Sequence, residues 1–154
     1  MAAVATRGPR VRVAALMLLE GKVVTVRHRA GSSVYHLLPG GGVDYRETLA
    51  QALIREVKEE TGLEVTVGAP ALLSDTIDPS GSRHVVNVTF LANVTGGTVV
   101  DSPDDDRVEA VDLVDPDRLS DLDLRPPMAS AVVRVLNGDN VGLEYLGPLF
   151  TEAT

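Results

Sequence analysis

The sequence contains no cysteine and no tryptophan, and only five of its 154 residues are aromatic. The absence of cysteine excludes disulfide bonds, zinc–thiolate sites and cysteine nucleophiles. No apolar run approaches the roughly 18 residues of a membrane span. Residues 1–10 carry two arginines but lack the apolar segment of a secretory signal. We therefore expect a cytoplasmic protein with no membrane partner.

Acidic residues outnumber basic ones, and the net charge is −8 at pH 7. A general nucleic-acid binder needs a basic surface that displaces counterions, so we expect no nucleic-acid partner. A length of 154 residues, with 44% hydrophobic and 23% charged residues, is ordinary for one globular domain with a buried core. We find no repeat and no domain boundary. The sequence predicts a single domain over residues 1–154, with residues 1–9 and 138–154 as flanking tails.

Alternating apolar and polar residues, separated by turn residues, predict a chain made mostly of strands. Residues 11–19 and 23–27 are expected to form a β-hairpin around the turn at Glu20-Gly21-Lys22. Residues 40–42, three consecutive glycines, are expected to be a hinge with an unrestricted backbone. Further strands are expected at residues 34–38, within 64–77 with a break near 68–70, and at 84–94, 98–100 and 108–114.

Two helices are predicted. Thr48 and Gln51 match a capping box that begins a helix at Leu49, and Gly62 ends it in a left-handed conformation. The Pro126-Pro127 pair opens a second helix over about residues 128–136. Residues 137–154 remain unassigned. The pattern predicts an α/β fold in which a mixed sheet carries a helix on each face.

Three glutamates cluster near the end of the first helix. At 100° per residue, Glu56, Glu59 and Glu60 share an arc that borders the apolar stripe, while Arg55 and Lys58 face outward. The stripe is expected to consist of Ala50, Leu53, Ile54 and Val57. Like charges near a helix C-terminus repel one another and oppose the helix dipole. A bound divalent cation would relieve this repulsion, and oxygen ligands without His or Cys favour Mg²⁺, or Mn²⁺ as a substitute. The alternative is a solvated acidic helix surface.

The spacing around this cluster resembles a family motif. Residues 41–63 read GGVDYRETLAQALIREVKEETGL. This resembles the Nudix box: glycine, five residues, glutamate, seven residues, then Arg-Glu-aliphatic-x-Glu-Glu-x-Gly-aliphatic. The fixed positions are filled by Gly41, Glu47, Arg55, Glu56, Val57, Glu59, Glu60, Gly62 and Leu63. The resemblance extends more loosely over residues 10–137 and implies an α/β/α sandwich.

The resemblance also implies roles for individual residues. Glu56, Glu59 and Glu60 would be metal ligands, and the carbonyl oxygen of Gly40 would be a backbone ligand. Arg55 would pair with Glu47 and hold the loop against the helix. Glu59, Glu60 and Arg55 would therefore belong to the catalytic group.

In some Nudix proteins the base that takes the proton from water lies in a downstream loop instead of the box. The acidic residues in the corresponding region here are Asp101, Asp104, Asp105, Asp106 and Glu109. Asp106 and Glu109 are the candidates for a general base or an additional metal ligand. The alternative is an ordinary solvated turn.

Substrate contacts are predicted near the end of the hairpin. By resemblance, Arg27 or Arg29 would bind phosphate through its guanidinium fork. Tyr35 is the candidate for stacking on a nucleobase. The alternatives are exposed arginines at a strand end and a tyrosine that only packs on the sheet. His36 stands where many relatives carry tryptophan, so recognition that depends on that ring is in doubt.

The resemblance implies a Mg²⁺-dependent pyrophosphohydrolase that cleaves the diphosphate of a nucleoside diphosphate linked to another group. Pro79 lies sixteen residues after Leu63, near where ADP-ribose hydrolases of the family carry a proline. By this resemblance, ADP-ribose or a nucleotide sugar is slightly favoured as the substrate. One alternative is a (d)NTP pyrophosphatase that cleans the nucleotide pool, and another is a non-catalytic module that senses a nucleotide. A homodimer is plausible by resemblance.

Overall fold

The computed structural model describes residues 7–100, 103, 106–139 and 142–151. Within these ranges there are nine strands, two α-helices and one 3₁₀ helix at Pro116–Asp121. The helices are α1 at Leu49–Thr61 and α2 at Ala129–Leu136. The strands are β1 (Arg10–Leu16), β2 (Leu18–Leu19), β3 (Lys22–Ala30), β4 (Ser33–Leu37), β5 (Gly40–Gly42), β6 (Leu63–Ile77), β7 (His84–Gly97), β8 (Val108–Val114) and β9 (Glu144–Pro148).

The strands form two sheets. The larger sheet has the order β5-β1-β7-β6-β9, in which β1 runs parallel to β7 and β9 runs parallel to β6. Its remaining pairs are antiparallel. In the smaller sheet, β3 pairs antiparallel with β2, β4 and β8. The larger sheet is therefore mixed, as the sequence predicts.

Strand β1 separates two apolar clusters, because successive side chains of a strand point to opposite faces of the sheet. One cluster joins Val13, Ala15 and Met17 to the buried face of α1. The other joins Ala14 and Leu16 to α2 and to the 3₁₀ helix. The predicted sandwich with a helix on each face is confirmed. None of the helices in the described ranges combines the length and the apolar character needed to cross a membrane.

The expected hairpin is wrong over most of its length. The turn at Glu20-Gly21 is present, but only Leu18 and Leu19 pair with β3. Strand β1 pairs with β7 and β5 instead. A strand that is buried on both faces lies inside a sheet and needs a partner on each edge. The chain therefore changes sheets at the buried residue Met17.

The expected glycine hinge is also wrong, because residues 40–42 form strand β5 against β1. A Cβ atom at Gly40 would overlap the carbonyl oxygen of Val13. Glycine serves here to allow two backbones to approach closely, not to make the chain flexible.

The part of the chain that follows α1 departs from prediction in three places. Strand β7 continues to Gly97, and residues 98–100 are not a strand. Strand β6 is continuous, and its pairing with β7 is irregular where a break was expected, between Val67 and Leu72. The unassigned tail contains β9, whose partner β6 lies about 70 residues earlier in the chain. Local patterns do not report such distant pairing.

A charged clamp fixes the loop between β5 and α1. Arg55 donates from Nε to Glu47 Oε2 at 2.8 Å and from Nη2 to Glu47 Oε1 at 2.9 Å, which confirms the expected pair. Arg55 also donates to the Gly42 carbonyl oxygen at 3.1 Å. The hydrogen bonds from Arg55, aided by one from the Asp44 backbone, lower the pKa of Glu47 to about 2. The clamp therefore connects strand, loop and helix through one guanidinium group.

The low pKa of Glu47 predicts a defined pH dependence of folding stability. A carboxyl group whose pKa is lowered in the folded state stabilises the fold above its unfolded pKa, near 4.5. That contribution is lost as the pH falls toward about 2. We expect Glu47→Gln to flatten the dependence of the urea midpoint on pH in this window. Equal slopes for the wild type and the variant would contradict the clamp, and Glu64→Gln, at an exposed surface ion pair, is the matched control.

Candidate active site

Helix α1 presents a different face to the core than the sequence predicts. Its ends are as expected: Thr48 and Gln51 form the capping box, and Gly62 caps the C-terminus with a φ of 79°. However, Ala50 and Ile54 are exposed. The buried positions are Ala52, Leu53, Val57, Glu60 and Thr61. The buried arc is rotated, because the helix packs against β5 as well as β1 and β6.

The rotation carries two glutamates toward the protein interior. Positions 53, 56, 57, 60 and 61 follow the i, i+3, i+4, i+7 spacing of one helix face. Glu60 is only 3% exposed, and its Oε1 accepts a hydrogen bond from the Gly40 backbone N–H at 2.7 Å. A Cβ atom at Gly41 would overlap the carboxyl group of Glu56. Both carboxylates therefore lie directly against the glycine strand β5.

Glu56 and Glu59 differ in their surroundings. Burial raises the pKa of Glu56, and the hydrogen bond from Arg55 Nη1, at 2.9 Å, opposes that shift. The side chain of Glu59 is 49% exposed, and its Oε2 lies 3.6 Å from the same Arg55 nitrogen. The expectation that Arg55 points away from the carboxylates is wrong, since one guanidinium contacts both. Glu59 is therefore more exposed to solvent than Glu56 and Glu60.

Whether a metal ion fits beside Glu56 and Glu60 depends on the ligand atoms that surround the position. The side chains of Glu56 and Glu60 and the backbone of Gly40 supply oxygen atoms, which suit a hard cation such as Mg²⁺. Within the described ranges, no group of three His, Asp or Glu side chains is already arranged around a metal position. The chemistry of the donors therefore fits a divalent cation, with two carboxylates in place and Glu59 at the edge.

A cavity of about 1000 Å³, called here the main cavity, opens beside these carboxylates. Its wall includes β5, Asp44, Glu56 and Glu60. Six arginines from separate parts of the described chain also line it: Arg7, Arg10, Arg12, Arg83, Arg107 and Arg125. Among the described residues of this wall, arginines are thus twice as numerous as carboxylates, although the chain carries a net charge of −8. The main cavity can therefore bind an anion beside a cation site.

Arg12 is a site residue that the sequence analysis missed. It donates from Nη2 to the Leu38 carbonyl oxygen at 3.0 Å. Burial lowers the pKa of the Arg12 guanidinium, and the charge of Glu60 opposes that shift. Two arginines that alternate with valines at the start of an apolar strand, Arg10 and Arg12, were the available signal. Arg12 supplies positive charge close to the two buried glutamates.

The predicted phosphate-binding arginines lie on the smaller sheet and share one partner. Arg27 Nε contacts Glu109 Oε2 at 3.0 Å, and Arg29 Nε contacts Glu109 Oε1 at 2.9 Å. Arg27 also lies 3.3 Å from Asp112. The hydrogen bond from Arg29 lowers the pKa of Glu109. Two of the predicted substrate residues thus neutralise one of the predicted bases.

Asp106 and Glu109 lie beside a smaller cavity of about 460 Å³, called here the side cavity. The side cavity shares His28, Tyr35 and Arg107 with the main cavity, so the two adjoin. Asp101, Asp104 and Asp105 lie outside the described residues.

Tyr35 lines both cavities, and its ring has two neighbours. The Arg125 guanidinium lies 4.4 Å from the ring centroid, and the His28 ring lies at 5.3 Å. Asp123 holds Arg125 through an ion pair of 2.7 Å. His36 is buried, and its Nε2 lies 2.9 Å from Asp112 Oδ2. The ring of His36 therefore interacts with Asp112 within the smaller sheet.

Comparison with known proteins identifies the family. A family model described as "NUDIX domain" matches residues 8–135. Over 106 residues the chain is 30% identical to the "ADP-ribose pyrophosphatase" of Methanocaldococcus jannaschii. The aligned region covers 68% of this chain and 63% of that protein. The chain spans less than two thirds of the length of the curated relatives it matches.

Solved structures share the fold. A "NUDIX hydrolase from Nitrosomonas europaea" superposes with a TM-score of 0.75 at 21% identity, covering 88% of this chain and 93% of that chain. A "MutT NUDIX hydrolase from Burkholderia pseudomallei" gives a TM-score of 0.64 at 29% identity, covering 83% of this chain and 98% of that chain. The matched residues 8–135 include the glycine strand and helix α1. The chain therefore belongs to the NUDIX family.

Proposed function

We propose that this protein is a pyrophosphohydrolase that uses a divalent cation to cleave a diphosphate linkage in a small nucleotide-derived substrate. The observation that carries this proposal is the position of Glu56 and Glu60. Both are held against the backbone of β5 on the wall of a cavity rich in arginine. An acidic pair beside a basic pocket suits a substrate that is itself anionic and metal-binding.

Glu56, Glu60 and the Gly40 carbonyl oxygen would hold the cation, with Mg²⁺ as the first candidate. A bound divalent cation would neutralise the phosphate oxygens and lower the pKa of a water molecule. Glu59 is the third candidate ligand, since its carboxylate lies one helical turn from Glu56. Arg55 would act as a positioning residue, because it joins Glu47, Glu56 and Glu59.

Cleavage requires an acceptor for the proton of the attacking water. We assign this role to a box carboxylate, Glu59 or Glu60, in preference to Glu109. The arginine contacts lower the pKa of Glu109 and make it a weaker base. Asp106, exposed beside the side cavity, is the remaining downstream candidate.

The phosphate groups would be bound by arginines of the main cavity. Arg12 is the first candidate, because it lies close enough to Glu60 for their charges to interact. Arg27 and Arg29 hold Glu109, so we assign them to the support of the side cavity. A guanidinium fork suits phosphate oxygens geometrically.

The favoured substrate is a nucleoside diphosphate linked to another group, such as ADP-ribose or a nucleotide sugar. The name of the relative from Methanocaldococcus jannaschii, "ADP-ribose pyrophosphatase", supports this choice. A nucleoside triphosphate is the second candidate, and the observation that favours it is the excess of arginine on the cavity wall. A homodimer and a cytoplasmic location stay predictions.

Product analysis tests the reaction. The protein is incubated with Mg²⁺ and, separately, ADP-ribose, nucleotide sugars and dNTPs, and the products are separated by chromatography. We expect AMP and ribose 5-phosphate from ADP-ribose. If only the triphosphates are cleaved, to a nucleoside monophosphate and pyrophosphate, the substrate is a nucleoside triphosphate and not a nucleoside diphosphate linked to another group. Nucleotide binding without turnover of any compound would contradict the enzymatic proposal and support a sensing module.

Glu60→Gln tests the cation site. The amide oxygen can still accept the Gly40 hydrogen bond, so the fold should survive, while the negative charge is removed. We expect kcat to fall by about 100-fold or more, since metal-assisted charge stabilisation is worth several kcal/mol. We also expect Mg²⁺ to raise the Tm of the wild type but not that of the variant.

Glu64→Gln is the matched control for this variant. Glu64 follows α1 closely in sequence, but its carboxylate is 62% exposed and pairs with Lys58 at 3.4 Å. Its kcat and its Mg²⁺-dependent rise in Tm should match those of the wild type. If both variants behave like the wild type, the assignment of Glu60 as a ligand is wrong.

A further inference from the structure

The chain has five aromatic residues, and the structure describes all of them. Phe90 is buried in the core, and the hydroxyl group of Tyr145 donates a hydrogen bond to Asp75. Tyr45 is 96% exposed and lies outside the wall of the main cavity. Of these five residues, Tyr35 and Phe150 therefore remain for contact with a ligand in that cavity.

The ring of Tyr35 already has neighbours. Arg125 lies over it at 4.4 Å, and the ion pair with Asp123 holds the guanidinium there. His28 contacts it as a tilted ring at 5.3 Å. A nucleobase that stacked on the face under Arg125 would have to displace a charged group that is itself paired. Phe150 is the other candidate, and its side chain is 37% exposed.

Phe150 lies in a segment that the rest of the fold holds in place. Strand β9 pairs with β6, and the Leu149 backbone N–H donates to the Asp75 carbonyl oxygen at 2.7 Å. Leu149 also packs against the apolar cluster around α2. Arg134 of α2 contacts Glu144 at 2.9 Å, which ties the start of β9 to that helix. Phe150 is therefore presented to the main cavity from an anchored backbone.

The segment also lies beyond the residues that the family model matches. The match to the NUDIX domain ends at residue 135, and β9 begins at Glu144. Phe150 and its neighbours Leu149 and Thr151 line the main cavity, as does Ile77. Leu149, Phe150 and Ile77 thus add apolar surface to a cavity that arginines and glutamates also line.

We propose that Phe150 is the stacking surface for the nucleobase of the substrate. This inference rests on the proposed function and adds a specificity-determining residue to it. An exposed phenyl ring offers an apolar face that a planar base covers, and it has no hydrogen-bonding group that would select one base over another. Phe150 therefore distinguishes nucleotides from phosphate compounds without a base.

The test compares two phosphate compounds that differ by the base. Binding of AMP and of ribose 5-phosphate is measured by calorimetry for the wild type, Phe150→Leu, Phe150→Tyr and the control Leu143→Ala. Leu143 is a half-exposed apolar residue just before β9. Because a base stacked on an aromatic ring gains affinity from that contact, we expect Phe150→Leu to raise the Kd of AMP about 10-fold. Phe150→Tyr and Leu143→Ala should keep the wild-type value, and ribose 5-phosphate should bind all four proteins equally.

Three results would overturn the inference: an unchanged Kd for AMP in Phe150→Leu, an equal loss for both compounds, or wild-type AMP binding no tighter than ribose 5-phosphate. Thermal unfolding of each variant checks that the fold is retained. Hydrolysis of ADP-ribose, measured in parallel, separates this inference from the proposed function. AMP binding that depends on Phe150 without hydrolysis would contradict the activity alone. Hydrolysis with AMP binding independent of Phe150 would contradict the stacking role alone.

Discussion

The hydrogen bond from the Gly40 backbone to the buried carboxylate of Glu60 is the interaction on which the site depends. A buried carboxylate is unfavourable unless hydrogen bonds or opposite charges compensate it. Here the compensation comes from the glycine strand and from the nearby charge of Arg12. The same contact holds β5 between α1 and β1, where only glycine allows the backbones to approach so closely. Helix, strand and carboxylate therefore define one another's positions.

The distribution of charged residues over the fold describes the site better than the net charge does. A net charge of −8 argues against a general nucleic-acid surface, yet it hides a cavity whose described wall carries six arginines. These arginines come from β1 and the segment before it, from the turn between β6 and β7, and from the loops before β8 and α2, so the folded chain brings them together. The acidic residues elsewhere set the net charge. The structure thus combines an acidic protein with a basic pocket beside two carboxylates.

Local features were predictable, and features that depend on tertiary packing were not. The capping box and Gly62 are encoded locally, and the sequence predicts both of them, whereas the Glu47–Arg55 pair was implied by the resemblance to the Nudix box. The rotation of α1 depends on its contact with β5, so the exposure of Ile54 and the burial of Glu60 could not be read from periodicity alone. The pairing of β1 with β7, and of β9 with β6, joins distant segments. Phe150 became a candidate only when β9 had been located.

The central claim is that Glu56 and Glu60, held against the glycine strand, form the cation site. The most direct test is a crystal of the protein grown with Mn²⁺, in which anomalous scattering locates the metal. The account predicts a peak within bonding distance of both carboxylates and of the Gly40 carbonyl oxygen, and no such peak in Glu60→Gln. A single peak beside Asp106 and Glu109, with none at the glycine strand, would contradict it.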